Sequence, residues 1–366
     1  MIITKKIRLL PTDEQVLKFI ESANVSRWAY NYTLKMINLN YKFKGDFLSE
    51  REFRKHVTKI KKRDKYYWLN NVSNNVVKQG IRDCFSSYKR FFKGISGFPK
   101  PKKKFKTTPS FYLPNEKIKF KENKTVLVEK IGWVKHKEKM PIDVKYYNPR
   151  IKYDGKYWYL TIGIDKEKIN EHLTDRVLGI DLGIKELAVT SDGVYYKNIN
   201  KTASIRKIEK RLKRLQKRSS KKYIKGKPKS SNLISIEKKI RKIHRRLSNI
   251  RNNHIQQITT EIVKTKPSKI VVEDLNITGM MKNKKLSKAI QNQKFYYFVQ
   301  CLEYKCEMRG IEFVKANRYF PSSKMCNHCG EIKKDLKLKD RKYKCSCGYV
   351  EDRDLNASYN LRDYKE

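Results

Sequence analysis

A single carboxylate inside an otherwise apolar run constrains this chain more than any other feature. In Val177-Leu-Gly-Ile-Asp181-Leu-Gly-Ile, apolar residues flank Asp181 on both sides, which is the pattern of a strand buried on both faces of a sheet. A charge there is costly unless something neutralises it. Gly183 lets the backbone leave the strand, Leu187-Ala-Val-Thr reads as a second strand, and Ser191-Asp192-Gly193 as a hairpin turn leading to Val194. A buried Asp satisfied by hydrogen bonds is the plainer reading. A metal ligand is the sharper one, and it requires partner carboxylates.

Two partners lie further along. Ser268-Lys-Ile-Val-Val-Glu273-Asp274 is a short β-branched strand that ends on an acid. Val350-Glu-Asp352-Arg-Asp354-Leu-Asn356 places another acid where an Asp opens a helix. Three acids at the ends of separate elements can converge on a divalent cation. Hard oxygen donors suit magnesium or manganese, and a pair of such ions serves in-line phosphodiester displacement.

Charge narrows the substrate. Lys plus Arg is 87 and Asp plus Glu is 37, a formal net charge of +50, which marks a polyanion binder and excludes the usual enzymes of small metabolites. At 366 residues the chain is long enough for two or three domains. No apolar run reaches membrane-spanning length and no signal-peptide pattern opens the chain, so no membrane association and a cytosolic location are expected. Cys84, Cys301 and Cys306 are scattered and read as ordinary buried thiols of a reducing compartment.

Taken in order, Ile3 to Leu9 alternates as a short strand. Thr12 with Gln15 forms a capping box that starts a helix, and a second helix is expected to hold Trp28, Tyr32 and Leu34 to Leu39. Past the charged Lys55 to Lys65 region, Val76 to Phe92 has helical periodicity that ends at Gly94. Residues 12–94 thus read as a helical domain, whose interleaved aromatic and basic residues would also suit base stacking and phosphate contact. A basic, proline-bearing connector from Gly97 to Lys106 leads into a β region from about 110 to 165, with a hairpin around Asp154-Gly155. A small antiparallel barrel or sandwich is expected there, completed by the N-terminal strand and with the helical domain inserted into it.

Residues 201–250 contain 20 Lys or Arg against two acids, Glu209 and Glu237. Ile205, Ile208, Leu212 and Leu215, then Ile236, Ile240, Ile243, Leu247 and Ile250, predict two long helices broken near Gly226-Lys-Pro228. They would bury one narrow stripe and present cations elsewhere, a surface for nucleic-acid backbone with no separate helix-turn-helix signature to read bases. Phe295 to Cys306 predicts a helix ended by Gly310, followed by a strand at Ile311 to Val314. Cys326-Asn-His-Cys329 and Cys345-Ser-Cys347 then have the spacing of a four-thiolate structural zinc ribbon, with His328 as an alternative ligand. A basic loop of Lys333, Lys334, Lys337, Lys339, Arg341 and Lys342 separates the two pairs.

These residues resemble a family. Ile180-Asp-Leu-Gly-Ile-Lys, Val272-Glu-Asp-Leu, Phe320-Pro-Ser-Ser-Lys-x-Cys-x-x-Cys-Gly and Cys347-Gly-x-x-x-Asp-Arg-Asp-x-Asn-Ala are similar to motifs of the transposon-encoded TnpB (OrfB) proteins, relatives of the small type V CRISPR effectors. Arg27-Trp-Ala-Tyr-Asn and Phe91-Phe-x-Gly-x-x-Gly-Phe-Pro99 extend the resemblance over nearly the whole chain. It implies an α+β multidomain protein: a β-barrel wedge domain (1–11 and 95–172) with an inserted helical recognition domain (12–94), then an RNase H-like RuvC nuclease domain (173–322 and 350–366) interrupted by a zinc ribbon (323–349). It also implies a guide RNA derived from the transposon end, double-stranded target DNA cut beside a short motif, and Asp181, Glu273 and Asp354 as catalytic acids holding magnesium or manganese. Asp354 is preferred to Asp352 for its place in D-x-N, and Glu273 to Asp274 because it directly follows the strand. The tighter C-x-C second pair, Cys345 and Cys347, departs from the family pattern. An ATPase of the actin and sugar-kinase class, a catalytically reduced RNA-guided repressor and an unguided metal-dependent nuclease or zinc-ribbon DNA binder are the rival readings. The first lacks glycine-rich phosphate loops in a chain with 15 glycines, the second would have lost acids, and a zinc-ribbon DNA binder leaves the three carboxylates unexplained.

Overall fold

Alternation in Ile2–Leu10 buries Ile7 and Leu9 and makes this segment strand β1. The computed structural model describes all residues except Phe105, Asp143, Asn170, Leu338, Lys339 and Glu366; Lys339 of the basic loop therefore lies outside the described residues. Contacts divide the chain into two units, Met1–Lys166 and Glu167–Glu366.

In the first unit β1 is followed by helices α1 (Asp13–Lys44), α2 (Glu50–Ile60) and α3 (Asn74–Phe92). Strands β2 (Ser110–Tyr112), β3 (Phe120–Lys121), β4 (Thr125–Val128), β5 (Gly132–His136), β6 (Tyr146–Tyr153) and β7 (Trp158–Asp165) come next. The seven strands form one sheet in the order β2-β6-β7-β1-β5-β4-β3, antiparallel throughout. The N-terminal strand sits between β7 and β5 as expected, and Asp154-Gly155 makes the β6–β7 turn, with Gly155 at φ 95°. One core joins sheet and helices: Phe19 of α1 contacts Phe111 at 5.7 Å and Trp158 at 5.1 Å between ring centroids.

One expectation fails here, and one element went unpredicted. Residues from Thr12 to Lys44 form one helix rather than two, because a buried stripe of Phe19, Ala23, Ala29, Tyr30, Leu34 and Ile37 runs unbroken to Gly45, whose φ of 72° ends it. The charged Lys55 region is largely helix α2, nucleated by a capping box between Ser49 and Glu52 and pinned by buried Phe53, Val57 and Ile60 beneath its charges.

The second unit holds β8 (Thr174–Leu182), β9 (Glu186–Thr190), β10 (Tyr195–Lys197), long helices α4 (Ala203–Lys222) and α5 (Ser231–Lys264), and β11 (Pro267–Glu273). Short helices α6 (Ile277–Met280) and α7 (Ser287–Gln293), then α8 (Phe295–Arg309) and β12 (Glu312–Ala316), complete its first part. Strands β13 (Lys342–Lys344) and β14 (Val350–Asp352) pair as a separate hairpin that runs straight into α9 (Arg353–Arg362). The five-stranded sheet is ordered β10-β9-β8-β11-β12: an antiparallel meander whose first strand, β8, then pairs in parallel with β11, itself parallel to β12. The α4–α5 hairpin closes on Ile205, Leu212, Ile243 and Leu247 as the sequence predicts. The two acids within residues 201–250 are engaged internally, Glu209 with Arg251 at 2.8 Å and Glu237 with Lys229 at 2.5 Å, which leaves the hairpin strongly positive. Among the described residues no helix is long and apolar enough to cross a membrane.

Candidate functional site

Strand alternation decides which face each acid occupies. In β8, Leu178, Ile180 and Leu182 enter the core shared with α5 and α8, so Gly179 and Asp181 face the other side. In β11, Ile270 and Val272 enter that same core while Val271 packs with Leu361 of α9, so Glu273 also faces the α9 side. Val272 pairs with Ile180 in parallel register, and Asp181 and Glu273 stand one residue further along these two strands.

Helix α9 reaches the same face because Gly179 has no side chain. A Cβ there would lie 2.0 Å from the Ser358 carbonyl oxygen and 2.3 Å from the Arg362 amide nitrogen, so only glycine lets the helix backbone lie directly on β8. Asp352 caps the helix, its carboxylate accepting from the N–H groups of Asp354 at 3.0 Å and Leu355 at 3.3 Å. Asp354 follows in the first turn with its carboxylate outside the cap. Asp274, by contrast, is held by Arg318, Nη2 to Oδ2 at 2.6 Å. Asp181, Glu273 and Asp354 are thus brought to one face, whereas Asp352 and Asp274 have structural partners.

All three acids are half-buried, and no ion pair or side-chain hydrogen bond compensates their carboxylates among the described residues. Burial, then the charges of Glu273 and Asp354, push Asp181 well above the usual carboxylate range. Glu273 is raised by burial and by Asp274, against the opposing pull of Arg353. Asp354 is raised by burial and Asp352, against Arg341, Lys185 and Arg353. Hard oxygen donors are the type that suits a divalent cation, although among the described residues the four cysteines, and not these acids, lie close enough together to form a ready donor set.

The four cysteines form a second donor set. Their sulfurs all lie within 4.8 Å of one another, with Cys326–Cys347 at 3.8 Å and Cys329–Cys345 at 3.5 Å. A tetrahedron with Zn–S bonds of about 2.3 Å has edges of about 3.8 Å, whereas a disulfide needs about 2.05 Å. The set fits zinc. His328 is not a member of this cluster; its ring stacks instead beside Tyr349, 6.2 Å between centroids.

Reading the sequence alone misses Gly179 and the cations Lys185, Arg341 and Arg353. A glycine in mid-strand was the available signal for the first. The cations come from three separate stretches of chain, and only folding reveals that they face the acids.

Comparison with known proteins places the chain. Residues 1–46 match the family model described as a helix-turn-helix domain of OrfB IS605 proteins, 161–284 the OrfB IS605 family described as a probable transposase, and 295–361 a Cas12f1-like TNB domain. Despite the first description, residues 1–46 contain one strand and one unbroken helix. A Streptomyces pristinaespiralis protein provisionally named RNA-guided DNA endonuclease is 27% identical over 97% of this chain and 87% of its own length. Escherichia coli InsQ, with the same provisional name, is 26% identical over 97% of this chain and 90% of its own. A solved Cas12f1–sgRNA–target DNA complex superposes with a TM-score of 0.55 at 15% identity, covering 99% of this chain and 98% of that one, which shows a shared fold. Three family matches in sequence order and two nearly full-length relatives make the chain similar, along most of its length, to the OrfB IS605 proteins.

Proposed function

We propose that this protein is an RNA-guided DNA endonuclease of a transposable element, which cuts target DNA beside a short recognised motif by divalent-metal-dependent phosphodiester hydrolysis. The observation that carries this reading is the convergence of Asp181, Glu273 and Asp354, uncompensated by any ion pair, in a chain of net charge +50. The names of its near full-length relatives support the same activity.

In this reading the five-stranded unit is an RNase H-like RuvC domain (173–322 and 350–366) with the basic hairpin at about 201–262. The β13–β14 region belongs to its zinc ribbon (323–349). The seven-stranded sheet is the β-barrel wedge domain (1–11 and 95–172), and α1–α3 are the helical recognition domain (12–94). The sheet order β10-β9-β8-β11-β12, antiparallel and then parallel, supports the RNase H-like assignment.

Asp181 and Glu273 are fixed by adjacent strands and Asp354 by the Asp352 cap, so the three catalytic acids are preorganised to hold magnesium or manganese. Bound there, the ions supply an activated water and neutralise the leaving oxygen. Arg353, Arg341 and Lys185 offset the acids' charge and leave the site able to admit a polyanionic backbone. The cations of α4 and α5 contact backbone and read helix shape, leaving sequence to pairing between guide RNA and target strand.

The test is to express the protein with the DNA that flanks its gene, sequence the RNA that copurifies, and assay targets matched or mismatched to that RNA's end. One dominant RNA and cleavage of the matched target only are expected. Equal cleavage of both targets by RNA-free protein would leave an unguided nuclease.

A further inference from the structure

The two halves of the cysteine cluster are anchored to α9 on either side of Asp354. The second pair, Cys345 and Cys347, lies in the turn of the β13–β14 hairpin, where the Cys345 N–H donates to the Tyr349 carbonyl at 2.9 Å. Strand β14 ends at Asp352, which is also the cap of α9, and the Arg353 N–H donates back to the Arg341 carbonyl at 2.8 Å. This knuckle is therefore continuous with the helix start, two residues before Asp354.

The first pair reaches α9 through two buried amides. Asn356, 0% exposed, accepts from the Asn327 N–H at 3.1 Å and donates to the Met325 carbonyl at 2.8 Å. Its two bonds thus grip the residues on both sides of Cys326. Asn360, one turn on and 1% exposed, donates to the carbonyls of Ser322 and Met325, both at 2.7 Å, and accepts from Asn327 Nδ2 at 3.2 Å. Asparagine is a poor helix-interior residue. Two of them at i, i+4, both buried and with donors and acceptors engaged, form a clamp between this helix face and the first knuckle.

We infer that Asn356 and Asn360 are positioning residues for Asp354, and that metal binding at the four cysteines and at the carboxylates is thermodynamically linked through them. Zinc ties the Asn356 anchor to the Asp352 anchor, and Asp354 lies between the two. With zinc bound, the first turn of α9 is held from both ends; without it, one anchor is released from the other and Asp354 is free to move from Asp181 and Glu273. Linkage is reciprocal: a divalent ion that fixes Asp354 must tighten zinc retention by the same factor. The inference rests on the proposed role of Asp354 in holding that ion.

The experiment uses the full-length protein with its bound RNA and measures zinc release at equilibrium to a competing chromogenic chelator, with and without Mn2+. In the wild-type protein Mn2+ raises the apparent zinc affinity by about 5-fold or more, the lower end of ordinary coupling between sites. In Asp354→Ala it has no effect, which removes ions bound to RNA as the cause. Asn356→Ala, with its zinc retained, loses the Mn2+ effect, and its half-saturating Mn2+ for cleavage rises by about 10-fold or more, the usual penalty for losing a group that orients a ligand. High Mn2+ restores its rate. Asn356→Asp keeps the acceptor for Asn327 but not the donor to Met325, and falls between the two. Mn2+-independent zinc release from wild-type protein overturns the linkage whatever the variants do. Wild-type Mn2+ dependence in zinc-loaded Asn356→Ala overturns the clamp. Wild-type cleavage by Asp354→Ala would instead reject the active-site reading itself.

Discussion

Asp181 owes its character to cost. Its carboxylate is removed from water beside Glu273 and Asp354, so the folded chain favours its protonated form and its titration moves up. Because the folded value lies above the unfolded one of about 3.9, the protein without divalent ions is least penalised at low pH. It loses stability as pH rises through the folded value. Glu273 and Asp354 shift in the same direction and add to the effect. Mn2+ held at the proposed site would bind the ionised carboxylates, so the rise in Tm that it causes should grow with pH; a rise that stays constant from pH 5 to 8 would contradict this. Asp181→Asn removes the penalty while keeping the shape. It should raise the Tm of the Mn2+-free protein near neutrality, by about 2 °C or more for each kcal/mol relieved, and abolish its response to Mn2+. The same substitution, or alanine at Glu273 or Asp354, should lower cleavage by more than about 100-fold, the cost of a misplaced reacting group. Binding of nucleic acid should persist, because none of the three contributes positive charge. Two of the three variants cutting at wild-type rates would remove the assignment.

Elements bring these residues together, and they differ in how plainly the sequence announces them. The β8–β9–β10 meander, the α4–α5 hairpin and the helix ended by Gly310 follow from local signals: a Ser-Asp-Gly turn, one apolar stripe broken at Gly226-Lys-Pro228, and a glycine with φ of 72°. The continuity of α1 and the helicity of α2 are less visible, because the stripe that sustains each is masked by charges facing water. Which acid of each adjacent pair is free was legible from motif position, but the physical reason is tertiary. Arg318 holds Asp274, and the α9 cap engages Asp352. Least visible is the contact between α9 and β8, since a glycine in a strand carries no information about what will lie on it. Gly179→Ala tests that contact. Its new methyl would meet backbone at 2.0 Å, which flexible side chains cannot relieve, so a loss of more than about 3 kcal/mol is expected. Calorimetry should show it together with inactivity, and a wild-type melt would mean that α9 does not rest on β8. The zinc ribbon gives a second prediction at this scale. So small a lobe can bury little apolar area, and a metal held by its four cysteines would supply its folding free energy, about 10–16 kcal/mol in isolated zinc fingers. Elemental analysis should find one zinc per chain. Cys345→Ser should lower zinc content and cleavage together; full activity in that variant would reject a structural metal.

At the scale of the whole chain, charge decides how it meets its partners. A net charge of +50 is self-repulsive unless a polyanion neutralises it, and the acids within 201–250 are too few and too engaged to do so. Binding to nucleic acid should therefore be steeply salt-dependent. If six to ten phosphates are contacted, affinity should fall by about 10³–10⁵ between 50 and 200 mM salt. A slope near zero in log affinity against log salt would mean that the basic hairpin is not the binding surface. The same scale sets the order of cutting. In the proposed reading Asp181, Glu273 and Asp354 make one nuclease site, and one such site displaces one phosphodiester at a time. A duplex must then be cut strand by strand, with the second strand repositioned after the first break. On supercoiled plasmid bearing a matched target, nicked circles should accumulate before linear product, and the delay should lengthen at low Mn2+ as each cut slows. Linear product that appears at once, without a nicked intermediate at any metal concentration, would require two sites acting together and hence a second copy of this chain on the same target.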